Sequence, residues 1–153
     1  MTELQIQRYA RHILLPDVGG VGQARLLAAA CVVEVGPDRA AETCALAFLA
    51  AAGVGTIGLD GALDAPVTLA EQRAQIVYTR ADVGTPRGAA LVARIAAQNP
   101  DVRVVPAAAV ASGASRLVVG AAPVAGDTAA VALARGAAAA HRLLARLYAR
   151  PLP

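Results

Sequence analysis

Lysine is absent from this sequence: all 14 basic residues are arginines, spread from Arg8 to Arg150. Tryptophan is absent too, and aromatic residues make up 3% of a chain that is 57% hydrophobic. A core made from such material is mostly alanine, valine and leucine. The missing lysine and the alanine excess run in one direction, that of a codon bias toward Ala, Arg, Gly and Val. The arginines are scattered among 11 acids for a net charge of +3. With so few aromatics to stack bases, nucleic-acid binding is not expected. Cys31 and Cys44 form no CxxC pair, and two cysteines alone make no zinc site; both read as buried small hydrophobes. His12 and His141 lack metal-ligand spacing, His12 reading as a helix-surface residue and His141 as part of a closing helix, so no metal is expected. No charged, then apolar, then small-residue leader opens the chain, which predicts no signal peptide. The apolar run Leu117–Ala134 is broken by Asp127, followed by Arg135, and is too rich in Ala and Gly for a membrane span. These absences predict a cytoplasmic protein.

What is present is organised around Cys31–Val35, Gly36, Pro37 and Asp38, and the alanine-rich run that follows. A short apolar run ending in glycine, then a tight turn, then a helical pattern is how the first strand, turn and helix of a dinucleotide-type fold read. The expected order begins with Thr2 capping a first helix, with Gln5 at the capping-box position, and Pro16 ending it. Gly19-Gly20-Val21-Gly22 reads as a hinge and Gln23–Ala30 as a second helix. Helix Asp38–Ala52 closes on Gly53, and strand Thr56–Leu59 ends at Asp60-Gly61. Thr68 caps a brief helix through Gln75. Thr85 as cap and Pro86 at the first helical position open Arg87–Gln98, with Leu91, Val92 and Ile95 inward. Strands Val102–Val105 and Arg116–Val119 follow, and Asp127 caps a closing helix to about Ala149. The fold class is α/β: a Rossmann-like, mostly parallel sheet with helices on both faces, preceded by an N-terminal helical segment. One domain spans 1–153, with N-terminal helices over 1–30 and the α/β core over 31–153.

Residues Arg8-Tyr9-Ala10-Arg11-His12-Ile13-Leu14-Leu15-Pro16, then Gly19-Gly20-Val21-Gly22-Gln23, resemble the N-terminal signature of the ThiF/MoeB/HesA family, bacterial relatives of ubiquitin-activating enzymes. The likeness continues through Ala50–Leu59 and Gln75–Pro86 and ends near Asn99-Pro100-Asp101-Val102, about two-thirds of the chain. The resemblance implies a protein that binds ATP and Mg and adenylates the C-terminus of a ubiquitin-like or sulfur-carrier protein, commonly as a dimer. It also implies particular parts, several of which are altered here. The family's G-x-G-G-x-G phosphate turn is Gly36-Pro37-Asp38-Arg39-Ala40-Ala41: Pro37 has no N–H, and the Asp38 carboxylate would cap the helix itself and repel a phosphate. The D-x-D after the second strand keeps Asp60 but has Ala62 in the second place, with Asp64 nearby. The N-L-x-R-Q segment is Ala70–Gln75, with Arg73 offset, and the family lysine after proline is Arg87. Val119-Gly120-Ala121-Ala122-Pro123 carries no magnesium-binding acid. No CxxC pair occurs.

Adenylation passes through a highly charged phosphate, so it depends on placed cations, a metal and backbone donors. The first expectation is therefore a non-catalytic family member with no cofactor, acting as a dimer subunit or scaffold for an active partner or carrier. Its partner would be itself or an active family member, and the arginine matching Arg11 would reach the partner's nucleotide site in trans. The alternative is a divergent ATP- and Mg-dependent adenylyltransferase using Asp60, Arg73 and Arg87. A third reading is a small-molecule or nucleotide binder reusing the cleft near Gly36 and Asp60. Glu34 is expected to pair with an arginine. The stripe Arg135, Arg142, Arg146 and Arg150 reads as a solvated helix face.

Overall fold

The computed structural model describes residues 1–36, 38–119 and 128–149. Pro37, the Gly120–Pro123 segment, the Asp127 cap and Arg150 lie outside them. Thr2 and Gln5 form the expected reciprocal capping box on α1 (Glu3–Arg8), at 3.2 Å and 2.9 Å. Tyr9 interrupts the helix, and α2 (Ala10–Ile13) follows. The expected hinge at Gly19–Gly22 is instead the first turn of α3 (Gly19–Ala28). The reason is packing: a Cβ on Gly22 would meet the Val18 side chain at 3.3 Å and the Tyr148 ring at 3.5 Å, so the glycine admits a close approach.

β1 (Ala30–Val35) enters α4 (Arg39–Ala52), whose N-cap is Asp38. Gly53, at φ +82°, ends α4 in the left-handed region, and the Val54 N–H bonds the Leu49 carbonyl as a Schellman closure does. β2 (Thr56–Gly61) and α5 (Leu69–Ala74) come next, the latter capped by Thr68. α6 (Arg87–Gln98) differs from expectation at its start. Pro86 is the N-cap and Thr85 caps nothing; the first free donors, Arg87 N–H and Gly88 N–H, bond the loop carbonyls of Ala65 and Leu63 instead. Val92 also differs: it is 44% exposed while Leu91 and Ile95 are buried, because one residue of helical rotation carries it off their face. β3 (Arg103–Pro106) and β4 (Ser115–Val118) are shifted by one residue from the expected strands, and α7 (Ala129–Ala149) closes the fold.

All pairings are parallel, in the order β3-β2-β1-β4. This matches the first four strands of the Rossmann order 3-2-1-4-5-6. Cys31, Val33, Val35, Ile57, Leu59 and Leu117 point to the face where α4, α6 and α7 bury Leu46, Leu49, Leu91, Ile95 and Leu143. These three long helices therefore share one face. On the other, Gly58 lets Val110 and Ala107 lie over the sheet beside Val32, and Glu34, Asp60 and Arg116 continue that face toward the strands' C-terminal ends.

Candidate functional site

The free N–H groups at a helix start attract anions, and in a fold of this kind the first strand–helix corner is where phosphate is held. Here the chain's own carboxylates take those donors. The Gly36 N–H donates to Glu42 Oε1 at 2.8 Å, and the Ala41 N–H donates to Asp38 Oδ1 at 3.3 Å. The Arg39 guanidinium donates to the Gly36 carbonyl. Glu42 lies in the first turn of α4, turned inward and only 2% exposed. Its Oε2 is buried with no hydrogen-bond partner, with Arg39 Nη1 3.8 Å away. Burial pushes the Glu42 carboxyl up to about 7, against the pull of the Gly36 N–H and of Arg39.

Asp38, 1% exposed, accepts at Oδ2 from Arg135 Nη2 at 2.6 Å and Nε at 3.0 Å. This corrects two expectations. Asp38 caps the helix, but its charge is met by Arg135, so it is not a bare repulsive carboxylate. Arg135 in turn is not part of a solvated stripe, since it reaches off α7 to the corner.

The corner's other cations are likewise engaged. Glu71 Oε1 takes both Arg87 Nε at 2.8 Å and Arg39 Nε at 3.2 Å. Glu71 is held there by a capping box with Thr68 at the start of α5. Burial raises the Glu71 carboxyl, but the hydrogen bonds from Arg87 and Thr68 outweigh it, leaving it below its ordinary value. Tyr78 is buried in the same charged surroundings, and burial, with Glu71 adding, pushes its hydroxyl up to about 12. Arg73 is exposed on α5 and makes no ion pair among the described residues.

Asp60 sits beside Glu34 in the β1–β2 register. Arg116 of β4 donates to Asp60 at 2.7 Å and stands 3.9 Å from Glu34, which supplies the arginine expected for Glu34. The Arg116 hydrogen bond, with one from the Gly61 N–H, holds the Asp60 carboxyl below its usual range. Asp64 is exposed, and no group of three His, Cys, Asp or Glu fit to hold a metal occurs among the described residues.

At the N-terminus Tyr9 separates Arg8 from Arg11. Arg8 pairs with Asp101 at 2.7 Å, whereas Arg11 is exposed without an ion pair among the described residues. His12 is not the surface residue expected: it is half-buried, stacks on Tyr9 and lies 3.2 Å from Gln23 Oε1 through Nδ1. Sequence reasoning missed Glu42, Glu71 and Arg116 as corner residues. Only Glu71 carried a local signal, the T-x-x-E spacing from Thr68.

No family model matches the chain. Its relatives are informative. It is 38% identical over 102 residues, 67% of its length, to the SAMP-activating enzyme E1 of Haloferax volcanii. It is 40% identical over 103 residues to the sulfur carrier protein adenylyltransferase of Thermus thermophilus, and 35% identical over 104 residues to the sulfur carrier protein ThiS adenylyltransferase of Escherichia coli. The chain belongs to the ThiF/MoeB/HesA family. It spans 36% of the length of the first two relatives and 40% of the third. Among solved structures, PaaA superposes with a TM-score of 0.61 at 29% identity, covering 69% of this chain and 36% of that one. The Escherichia coli tRNA N6-threonylcarbamoyladenosine dehydratase TcdA, in complex with ATP, gives 0.59 at 25% identity, covering 69% and 41%. This ThiF/MoeB/HesA-family chain thus keeps its relatives' fold around a corner closed by Glu42, Asp38 and Arg135.

Proposed function

We propose that this chain is a non-catalytic ThiF/MoeB/HesA-family protein, a dimer subunit or scaffold supporting an active family member or a carrier protein in the cytoplasm. The observation that carries this reading is the Gly36 N–H bonded to the buried Glu42 carboxylate. A triphosphate held at this corner needs that donor and its neighbours free. It would also crowd the buried Glu42 carboxyl, a contact that is repulsive wherever Glu42 is ionised. Arg39 and Arg87, the cations nearest the role of stabilising a charged phosphate, are shared by Glu71. Losing one placed donor typically costs ~3 kcal/mol of transition-state stabilisation, and here several are engaged together. Arg11, exposed and without an ion pair among the described residues, is placed to act on a partner, as a supporting subunit requires. Isothermal titration with ATP·Mg and carrier-dependent pyrophosphate exchange test this: neither heat of binding nor exchange is expected, and either one overturns it.

The relatives' own names favour a second reading, a divergent adenylyltransferase that binds ATP and Mg and acts on a sulfur-carrier protein. It requires Glu42 and Glu71 to swing away from Gly36 and Arg87, with Asp60 released by Arg116. On this reading ATP binds the wild-type chain, and Arg87→Ala abolishes exchange.

A further inference from the structure

The carboxylate that closes the β1–α4 corner is only half satisfied there. Glu42 is 2% exposed, and its Oε1 accepts from the Gly36 N–H at 2.8 Å. Its Oε2 is buried without a hydrogen-bond partner, since Arg39 Nη1 stands off at 3.8 Å. A buried carboxyl in that position is most comfortable holding a proton, whereas in water the ionised form has no such need. Losing the proton therefore favours turning the side chain outward, and that move uncovers a backbone donor at the start of a 14-residue helix.

The charged and titratable groups around Glu42 leave it as the one that responds near neutral pH. Asp38 and Arg39 flank it on α4, Glu71 of α5 and Tyr78 share its surroundings, and Arg87 of α6 and Arg135 of α7 hold Glu71 and Asp38. Burial pushes the Glu42 carboxyl up to about 7, with the Gly36 N–H and Arg39 opposing. Glu71, despite its burial, is held below its ordinary value by Arg87 and Thr68, and burial puts the Tyr78 hydroxyl at about 12. The arginines keep their charge throughout. We propose that Glu42 is a proton-held latch: neutral, it covers the Gly36 N–H; ionised, it turns to solvent and leaves that N–H and Arg39 to a small oxyanion. The latch rests on the reading of a corner closed from within, and makes that closure conditional. Arg87 stays with Glu71 and Asp60 with Arg116, so what opens is a seat for one oxyanion and not the set of free cations that adenylation requires.

The test uses the full chain and sulfate, whose charge is constant over the range studied. Calorimetry should show the wild type binding sulfate roughly tenfold more tightly at about pH 8.5 than at about pH 6, with the Gly36 carbon resonances shifting on binding. Positive charge lost elsewhere as pH rises works in the opposite sense, so an increase singles out the latch. Glu42→Gln keeps the shape and the Gly36 bond but never ionises, and should bind weakly at both pH values. Glu42→Ala should bind at both as the wild type does at the higher one. Wild-type affinity that is flat or falls with pH, an increase retained in Glu42→Gln, or binding that leaves Gly36 unshifted overturns the proposal. If Glu42→Ala does not fold, the wild type and Glu42→Gln still decide it. Carrier-dependent pyrophosphate exchange by the wild type is the separate mark against the silent corner itself, and the sulfate measurements do not depend on it.

Discussion

The two ends of α4 solve one problem with opposite chemistry. At its C-terminal end the free carbonyls meet neutral groups: Gln23 Nε2 donates to Ala52 O at 2.9 Å, and Asn99 Nδ2 donates to Ala50 O at 2.7 Å and to the Tyr9 hydroxyl at 2.9 Å. At its N-terminal end the N–H groups meet carboxylates, and those carboxylates have Arg135 and Arg39 beside them in their turn. The neutral end satisfies its polar atoms almost completely. The charged end leaves Glu42 Oε2 buried without a partner. Amide caps are cheap to bury, whereas ionised groups lose several kcal/mol of hydration each.

That contrast can be broken from the charged side first. Arg135→Ala strands the buried Asp38 carboxylate and should lower stability by about 3 kcal/mol in urea unfolding; a change below ~1 kcal/mol would show that Asp38 is well hydrated. Glu42→Gln comes next and is read through pH. The Glu42 carboxyl is raised to about 7 in the fold, so the folded chain holds its proton more tightly than the unfolded chain does. Stability is therefore greatest below the unfolded value and falls as pH rises toward 7, by roughly 3 kcal/mol in all. Glu42→Gln should flatten that slope in melts between about pH 5 and 8 and make the variant the more stable protein at the upper end. The smallest effect lies at the neutral end. Asn99→Ala removes the donors to the Ala50 carbonyl and the Tyr9 hydroxyl and the acceptor of the Asp101 N–H, and should cost about 2 kcal/mol with no pH dependence over the same range. If Asn99→Ala proved more damaging than Arg135→Ala, the ranking of the two ends would be reversed.

Much of this was legible along the chain because it is local. The Asp38 cap, the Gly53 closure and the Thr2–Gln5 box depend on residues three to five apart. The apolar runs of β1 and β2 announce buried parallel strands, and the motifs from Arg8 to Val102 carry the family. The site was less legible because its bonds are distant. Arg135 reaches Asp38 across 97 residues and Arg116 reaches Asp60 across 56, and no spacing rule links such pairs. Glu42 was hidden for another reason: a glutamate in a first helical turn reads as a dipole complement on the surface, and only packing shows it turned inward. The glycines at Gly19–Gly22 misled in part: Gly22 serves close contact with Tyr148, and only Gly19, at φ +58°, turns the chain.

The bond from Gly36 to Glu42 has one more consequence. A binding pocket normally gains stability in proportion to the logarithm of ligand concentration, so its owner is sturdier in a cell full of nucleotide than in a dialysis bag. Here the anion is covalently attached six residues downstream, at an effective concentration no dissolved competitor matches. On the proposed non-catalytic reading, the stability of this chain is therefore indifferent to the concentration of nucleotide around it.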